Sequence, residues 1–199
     1  MIDPLAPLPA REGHFLLESG YHTDLWLTLD AIFVDPNAIA PLVDALAAKL
    51  RPYEPTAICG SLLGGAFLAQ ALAHAMRVRF YFSEPVRASS TGALFTAAYR
   101  LPVELAQRIR GERVAIVDDV ISAGSSARAT VAAVTNAGGS VVVVASLMML
   151  GDDGAAHFAA AGTPMETLAR RTFNLWKPSD CPLCRAGRQL TTDSCTADS

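Results

Sequence analysis

The chain has 199 residues, 51% hydrophobic and 18% charged, with a formal net charge of −3. That length suits one domain with a core of its own, and the composition excludes a disordered chain. The mild acidity excludes the broad basic surface of a nucleic-acid binder, while a small anion held by local groups stays open.

Residues 1–13 read M-I-D-P-L-A-P-L-P-A-R-E-G, with prolines and an early Asp but no basic region before an apolar run, so the pattern of a signal peptide is missing. Residues 38–50 carry helical spacing in Ile39, Leu42, Val43, Leu46 and Leu50, with Asp35-Pro36-Asn37 as the start and Pro52 as the stop. A short apolar strand over 56–59 runs into Gly60, and the Ala-rich stretch 64–76 predicts a buried helix. Residues 77–82 alternate as a strand with Val78, Phe80 and Phe82 on one face. The less regular 83–110 suits a flap or hairpin over an opening, with helix near 103–110. A buried strand follows at 114–117, then a helix over 125–137 stopped by Gly138-Gly139, then a strand over 141–147. The longest apolar run, 141–150, falls short of the ~18 residues of a membrane span. No repeat of solenoid period is present.

Strands that alternate with helices and carry continuous Val/Ile runs predict an α/β fold with a parallel sheet covered on both faces. A single domain over 1–190 is expected, with a flexible polar tail over 191–199. Ligands of such sheets sit at the carboxyl ends of the strands. The segment V-A-I-V-D-D-V-I-S-A-G-S-S at 114–126 places Asp118 and Asp119 at such an end, before a Gly/Ser loop and a helix start. Free backbone N–H groups and the positive dipole end make a helix N-terminus a phosphate site. Gly124 lets the backbone approach closely, and Ser122, Ser125 and Ser126 add hydroxyl donors beside Ala123. The carboxylates would repel that phosphate at contact, so they face another part of the ligand. As acceptors they suit a vicinal diol, and diol with phosphate describes ribose 5-phosphate. Paired Asp also marks response-regulator receivers, but near the chain start rather than past the midpoint, and a dinucleotide site would need a G-x-G-x-x-G that is missing.

A second loop, C-G-S-L-L-G-G at 59–65, also follows a strand and opens a helix. Gly60, Ser61, Leu62, Gly64 and Gly65 could aim amides at a pyrophosphate, and small residues there equally serve close helix–sheet packing.

Four cysteines, Cys59, Cys181, Cys184 and Cys195, do not form a disulfide framework in a chain this long, which points to a reducing cytoplasm. Cys59 suits a core position. Cys181-Pro-Leu-Cys184 has the spacing of half a Zn²⁺ site, to be completed by Cys195, a histidine or the same pair of a second subunit; a redox pair and two inert thiols are the competing readings. His14 and His22 flank a Ser-Gly turn, either lining a pocket or serving as structural hydrogen-bonders. His74 falls on the buried helix and His157 in a surface-type segment, neither with a role.

The segment at 114–126 resembles the 5-phosphoribosyl 1-diphosphate motif of type I phosphoribosyltransferases. G-H-F-L-L-E-S-G-Y-H-T-D-L-W at 13–26 resembles the amino-terminal segment of orotate phosphoribosyltransferases, G-x-F-x-L-x-S-G-x-x-S, and the G-S-L-L-G-G loop resembles their pyrophosphate loop. D-C-P-L-C-R-A-G at 180–187 is similar to the tail of one bacterial subgroup, so the resemblance spans roughly residues 13–187. It implies a pentosyltransferase of pyrimidine biosynthesis that joins a phosphoribosyl group to orotate and releases pyrophosphate, with Mg²⁺ carried mainly by the diphosphate. It also implies a parallel-sheet core, a small hood from 13–35 and 165–187, and a homodimer. Asp118 and Asp119 would bind the ribose hydroxyls, and residues 122–126 the 5-phosphate.

The chain departs from that family in three places. The flap holds Arg87 and Arg100 and no lysine, where the family has a basic mobile loop. Glu18 stands where many members have Lys, and Met149-Leu150 stands where an Asp-Arg pair grips the orotate carboxylate. Loss of a charged partner for a desolvated carboxylate costs on the order of 1.5–3 kcal/mol. Arg87 and Arg100 are the flap's candidates for the pyrophosphate, or else a solvated face. Transfer to a different base, or a sensor of phosphoribosyl diphosphate without turnover, are the alternatives; a repressor would need a DNA-binding domain or basic surface that the chain lacks.

Overall fold

Two sheets organise the computed structural model, which describes residues 10–17, 20–27, 30–86 and 98–192. Strands β1 (Ala10–Leu16) and β2 (His22–Leu27) pair antiparallel as a hairpin. Next come α1 (Pro36–Leu50), β3 (Ala57–Ser61), α2 (Gly64–Met76), β4 (Arg79–Pro85), β5 (Tyr99–Arg100) and α3 (Val103–Arg108). They lead to β6 (Arg113–Ile121), α4 (Ser125–Asn136), β7 (Ser140–Leu150), α5 (Asp153–Ala160) and β8 (Met165–Arg171). A two-residue β9 (Leu175–Trp176) and a four-residue α6 (Pro182–Arg185) follow. The six-stranded sheet runs β5-β4-β3-β6-β7-β8, parallel throughout except for β5, and β1-β2-β9 form a separate three-stranded sheet.

The strand periodicity of two explains why the central strands are apolar without a break. Ala57, Cys59, Val114, Ile116 and Val144 pack to one side with α3, α4 and α5, while Ile58, Ala115, Val117, Val143 and Ala145 pack to the other with α1 and α2. Each fully buried Leu, Ile or Val contributes roughly 1.5–3 kcal/mol, so both faces must be covered for the sheet to persist. In α1 the buried Ile39, Leu42, Val43, Leu46 and Leu50 form the stripe that packs on it. Asp35 caps that helix, its side chain accepting from the Asn37 amide at 2.8 Å, and Pro36 takes the first turn, where no N–H is required.

Helix α2 has the expected bounds but is buried on one face only; Phe67 is 50% exposed and His74 is exposed. The irregular 83–110 does contain a hairpin, since β4 pairs with β5 through Glu84↔Arg100 and Pro85↔Tyr99. Strands β6 and β7 outrun their predicted ends because each supplies the other's ladder as far as Ile121↔Met149. His157 lies on α5, a helix the periodicity did not suggest, with its ring against Phe158. The 165–187 stretch divides: β8 is the edge strand of the main sheet, and only β9 joins the small one. Thr191, expected in the tail, pairs with the first strand through Leu16 N–H to Thr191 O and Thr191 N–H to His14 O. Among the described residues no helix is long and apolar enough to cross a membrane.

Candidate functional site

The site begins at the carboxyl end of β6. Asp118 lies within the ladder, opposite Ser146, rather than after the strand, and it is only 5% exposed. Its Oδ1 accepts from the Ser61 hydroxyl at 3.0 Å and from the Asp119 amide at 3.2 Å, and its Oδ2 from the Ser126 hydroxyl at 2.6 Å. Burial, and then the neighbouring Asp119 charge, push the Asp118 carboxyl well above its ordinary range, and the two hydroxyl donors only partly oppose this. Asp119 is half-buried, its Oδ1 accepting from the Val120 amide at 2.9 Å.

The 59–65 loop packs directly on this pair. A Cβ on Gly64 would stand 2.4 Å from Asp119 Oδ2, and one on Gly65 would stand 2.6 Å from Asp118 Oδ1 and 2.9 Å from the Val117 carbonyl. Close approach to the Val117 backbone as well as to Asp118 dictates glycine at Gly65, while a side chain at Gly64 would displace the Asp119 carboxylate. Gly60 meets the Gly65 carbonyl in the same way, which is the packing use of these small residues. Ser61, Leu62 and Gly64 line the cleft together with Leu63; Gly60 and Gly65 lie behind them and support the loop.

Beyond β6 the chain turns through Gly124, whose φ of +75° is left-handed, and enters α4 without a side-chain cap. The uncapped first turn leaves amide donors at the cleft, where Ser122, Gly124, Ser125 and Ser126 line the wall; Ala123 is half-buried outside the lining. The cleft measures about 290 Å³, with acceptor-only carboxylates at its floor and amide and hydroxyl donors at the α4 end. A polyol with a terminal phosphate satisfies both.

The rest of the lining comes from residues not singled out for it: Leu17, Leu25, Trp26 and Leu27 of the small sheet, with Tyr99, Val120 and Leu150. Trp26 closes the 13–26 motif, and Leu150 stands where the resemblance places a cation, so both positions carry a signal in the sequence. No described lining residue is cationic. Arg100, a flap candidate, is instead 69% exposed and paired to Glu84, Nε to Oε1 at 2.9 Å; Arg87 lies outside the described residues. Neither histidine of the turn lines the cleft. His14 and His22 are buried beside Cys181 and Cys184, and burial, then His14, pushes the His22 imidazole below its ordinary value. Cys59 is a core residue whose thiol burial pushes up to about 12.

Residues 32–166 match the model of the phosphoribosyl transferase domain. The chain is 32% identical to an orotate phosphoribosyltransferase of Wolinella succinogenes, over 88% of this chain and 86% of that protein. It is also 32% identical to one of Caldanaerobacter subterraneus, over 90% and 87% respectively. In fold it is similar to the Mycobacterium tuberculosis orotate phosphoribosyltransferase in complex with inorganic phosphate, with a TM-score of 0.61 at 24% identity over 82% of this chain and 89% of that one.

Proposed function

The chain belongs to the phosphoribosyl transferase family, and from that premise we propose that it transfers the phosphoribosyl group of 5-phosphoribosyl 1-diphosphate to orotate. A base nitrogen forms the new bond to C1 of the ribose, the C1–O bond to the diphosphate breaks, and orotidine 5′-phosphate and pyrophosphate leave. The observation that carries this reading is the joining of the Asp118–Asp119 pair to two anion-suited loops in one cleft, with Gly64 and Gly65 pressed against the carboxylates.

In this reading Asp118 and Asp119 accept from the ribose hydroxyls, the Ser122–Ser126 turn takes the 5-phosphate on its amides and hydroxyls, and the 60–65 loop takes the diphosphate. Ser61 and Ser126 hold Asp118 in place, so the sugar meets a preorganised acceptor. Negative charge fixed beside the sugar favours a transition state with positive charge at C1. The floor offers carboxylate and hydroxyl oxygens, a donor set that fits Mg²⁺, with Asp118, Asp119 and Ser61 nearest to hand. These residues would hold Mg²⁺ brought by the diphosphate, and the bound ion would supply charge neutralisation for the leaving group. Leu25, Trp26, Leu27 and Leu150 give the base an apolar wall, and among the described lining residues its carboxylate meets only neutral N–H and O–H donors.

The reading extends to a homodimer in a reducing cytoplasm. The described cysteines are all unbridged, and exposed Val34 and Phe67, with Phe33 against Phe67, offer apolar surface for a second copy. Sedimentation equilibrium should give twice the chain mass. The decisive assay follows pyrophosphate release from phosphoribosyl diphosphate and Mg²⁺ with orotate, uracil and purine bases. Release with orotate is expected. Release with another base only would keep the reaction and replace the substrate, and tight diphosphate binding without release for any base would overturn turnover in favour of a sensor.

A further inference from the structure

Four side chains from opposite ends of the chain converge between the small sheet and α6, none of them lining the cleft. His14 comes from β1, His22 from β2, Cys181 from the entry to α6 and Cys184 from within it, and their ligand atoms all lie within 4.8 Å of one another. His14 Nδ1 stands 3.0 Å from the Arg188 carbonyl, which can only accept, so Nδ1 carries the ring proton and Nε2 turns its lone pair inward. That Nε2 lies 3.0 Å from His22 Nδ1, 3.4 Å from Cys181 Sγ and 3.6 Å from Cys184 Sγ, while Cys184 Sγ lies 3.2 Å from His22 Nδ1. One lone pair cannot serve three neighbours by hydrogen bonding, and His14, His22 and Cys181 are each at most 5% exposed.

A cation at the centre satisfies all four atoms at once. Zn–N bonds of about 2.0–2.1 Å and Zn–S bonds of about 2.3 Å give a tetrahedron with edges of roughly 3.3 Å between nitrogens and roughly 3.5 Å between nitrogen and sulfur. The separations here already approach those edges. Two thiols and two imidazoles select a borderline-soft tetrahedral ion over the oxygen-seeking Mg²⁺ and Ca²⁺. The carbonyl behind His14 is the outer partner that fixes a ligating ring.

We propose that His14, His22, Cys181 and Cys184 form a closed structural zinc site that fastens the carboxy-terminal segment to the β1–β2 hairpin. A four-residue α6 has little stability of its own, and besides side chains its segment is held by a few backbone pairings to β1 and β2. Strand β2 runs on from His22 to Leu25, Trp26 and Leu27, so the ion sets the wall of the cleft from behind without touching substrate.

The test uses full-length, untagged protein purified under reductant. Mass spectrometry of metals should find one zinc per chain, and exchange with cobalt should give tetrahedral d–d bands in the red with thiolate charge transfer in the near ultraviolet. Cys184→Ser, at an exposed position, and His22→Asn should each cut the zinc retained against a chelator by roughly tenfold or more, while Cys59→Ala leaves it unchanged. Chelation should speed amide exchange in residues 178–192. Reduced protein that holds no zinc and gives no tetrahedral spectrum when cobalt alone is added would overturn the site, as would variants that hold zinc like the parent. Metal content is read without turnover, so neither outcome depends on the transferase reading.

Discussion

Asp118 sets function against stability at a single carboxyl. A group whose native pKa is raised holds its proton more tightly folded than unfolded. Its stabilising effect is therefore full below the ordinary carboxyl value of the unfolded chain and is lost as pH rises through the raised native value. Asp118→Asn removes that loss, so its Tm should match the parent in acid and exceed it by a few degrees, on the order of 1 kcal/mol, at neutral pH. If Asp118 faces the sugar as proposed, the same change removes charge beside it and should lower kcat/KM on the order of 10²-fold. Thermal scans across pH together with steady-state kinetics check both halves; a variant less stable at neutral pH would contradict the burial account. Gly65→Ala places a methyl against Asp118 Oδ1 and the Val117 carbonyl. A displaced carboxylate should cost roughly 10–100-fold in kcat/KM with the circular dichroism spectrum kept, because sub-ångström placement matters in a cleft that works by positioning.

At the scale of elements, the turn into α4 and the cap of α1 make a contrast. Gly124 needs its left-handed φ of +75°, and a Cβ there meets the Phe158 ring at 3.4 Å. Gly124→Ala should lose about 1–2 kcal/mol of stability and raise the KM for phosphoribosyl diphosphate, because a side chain strains the left-handed turn whose amides we propose take the phosphate. Asp35→Ala removes the bond to the Asn37 amide and should lose about 1 kcal/mol with the KM unchanged, because Asp35 contributes nothing to the lining of the cleft. Chemical denaturation beside KM measurements separates the two.

Over the whole molecule the main sheet divides its labour between its ends. The carboxyl ends of β3 and β6 build the cleft, while near their amino ends Glu112, buried, accepts from Thr56 Oγ1 and pairs with Arg79. Arg79→Met leaves that carboxylate without its cation. Stability should fall by about 1–2 kcal/mol, discounted for the exposure of the guanidinium, with kcat unchanged. A fall in kcat would mean that the two ends are coupled.

The residues determined by themselves what depends on neighbours in sequence. Helix α2 was legible to its bounds, α1 to within two residues at its start, and the Asp118–Asp119 turn was legible because strand, diacid, glycine and helix start lie within thirteen consecutive positions. Tertiary structure decided what depends on partners far along the chain. Strand β6 continues past the diacid because β7 extends its ladder, which no property of residues 118–121 announces. Arg100, a flap candidate by its position in the chain, is paired with Glu84 because the β4–β5 register sets the two opposite each other. The sequence left His14 and His22 open between a pocket and a structural role, and left the partner of the Cys181–Cys184 pair open among Cys195, a histidine and a second subunit; strand pairing turned both rings toward Cys181 and Cys184, more than 150 positions away. Local spacing encodes helices, turns and the chemistry of one loop; which side chains meet across the fold is set by register and packing, where a shift of one residue exchanges the two faces of a strand.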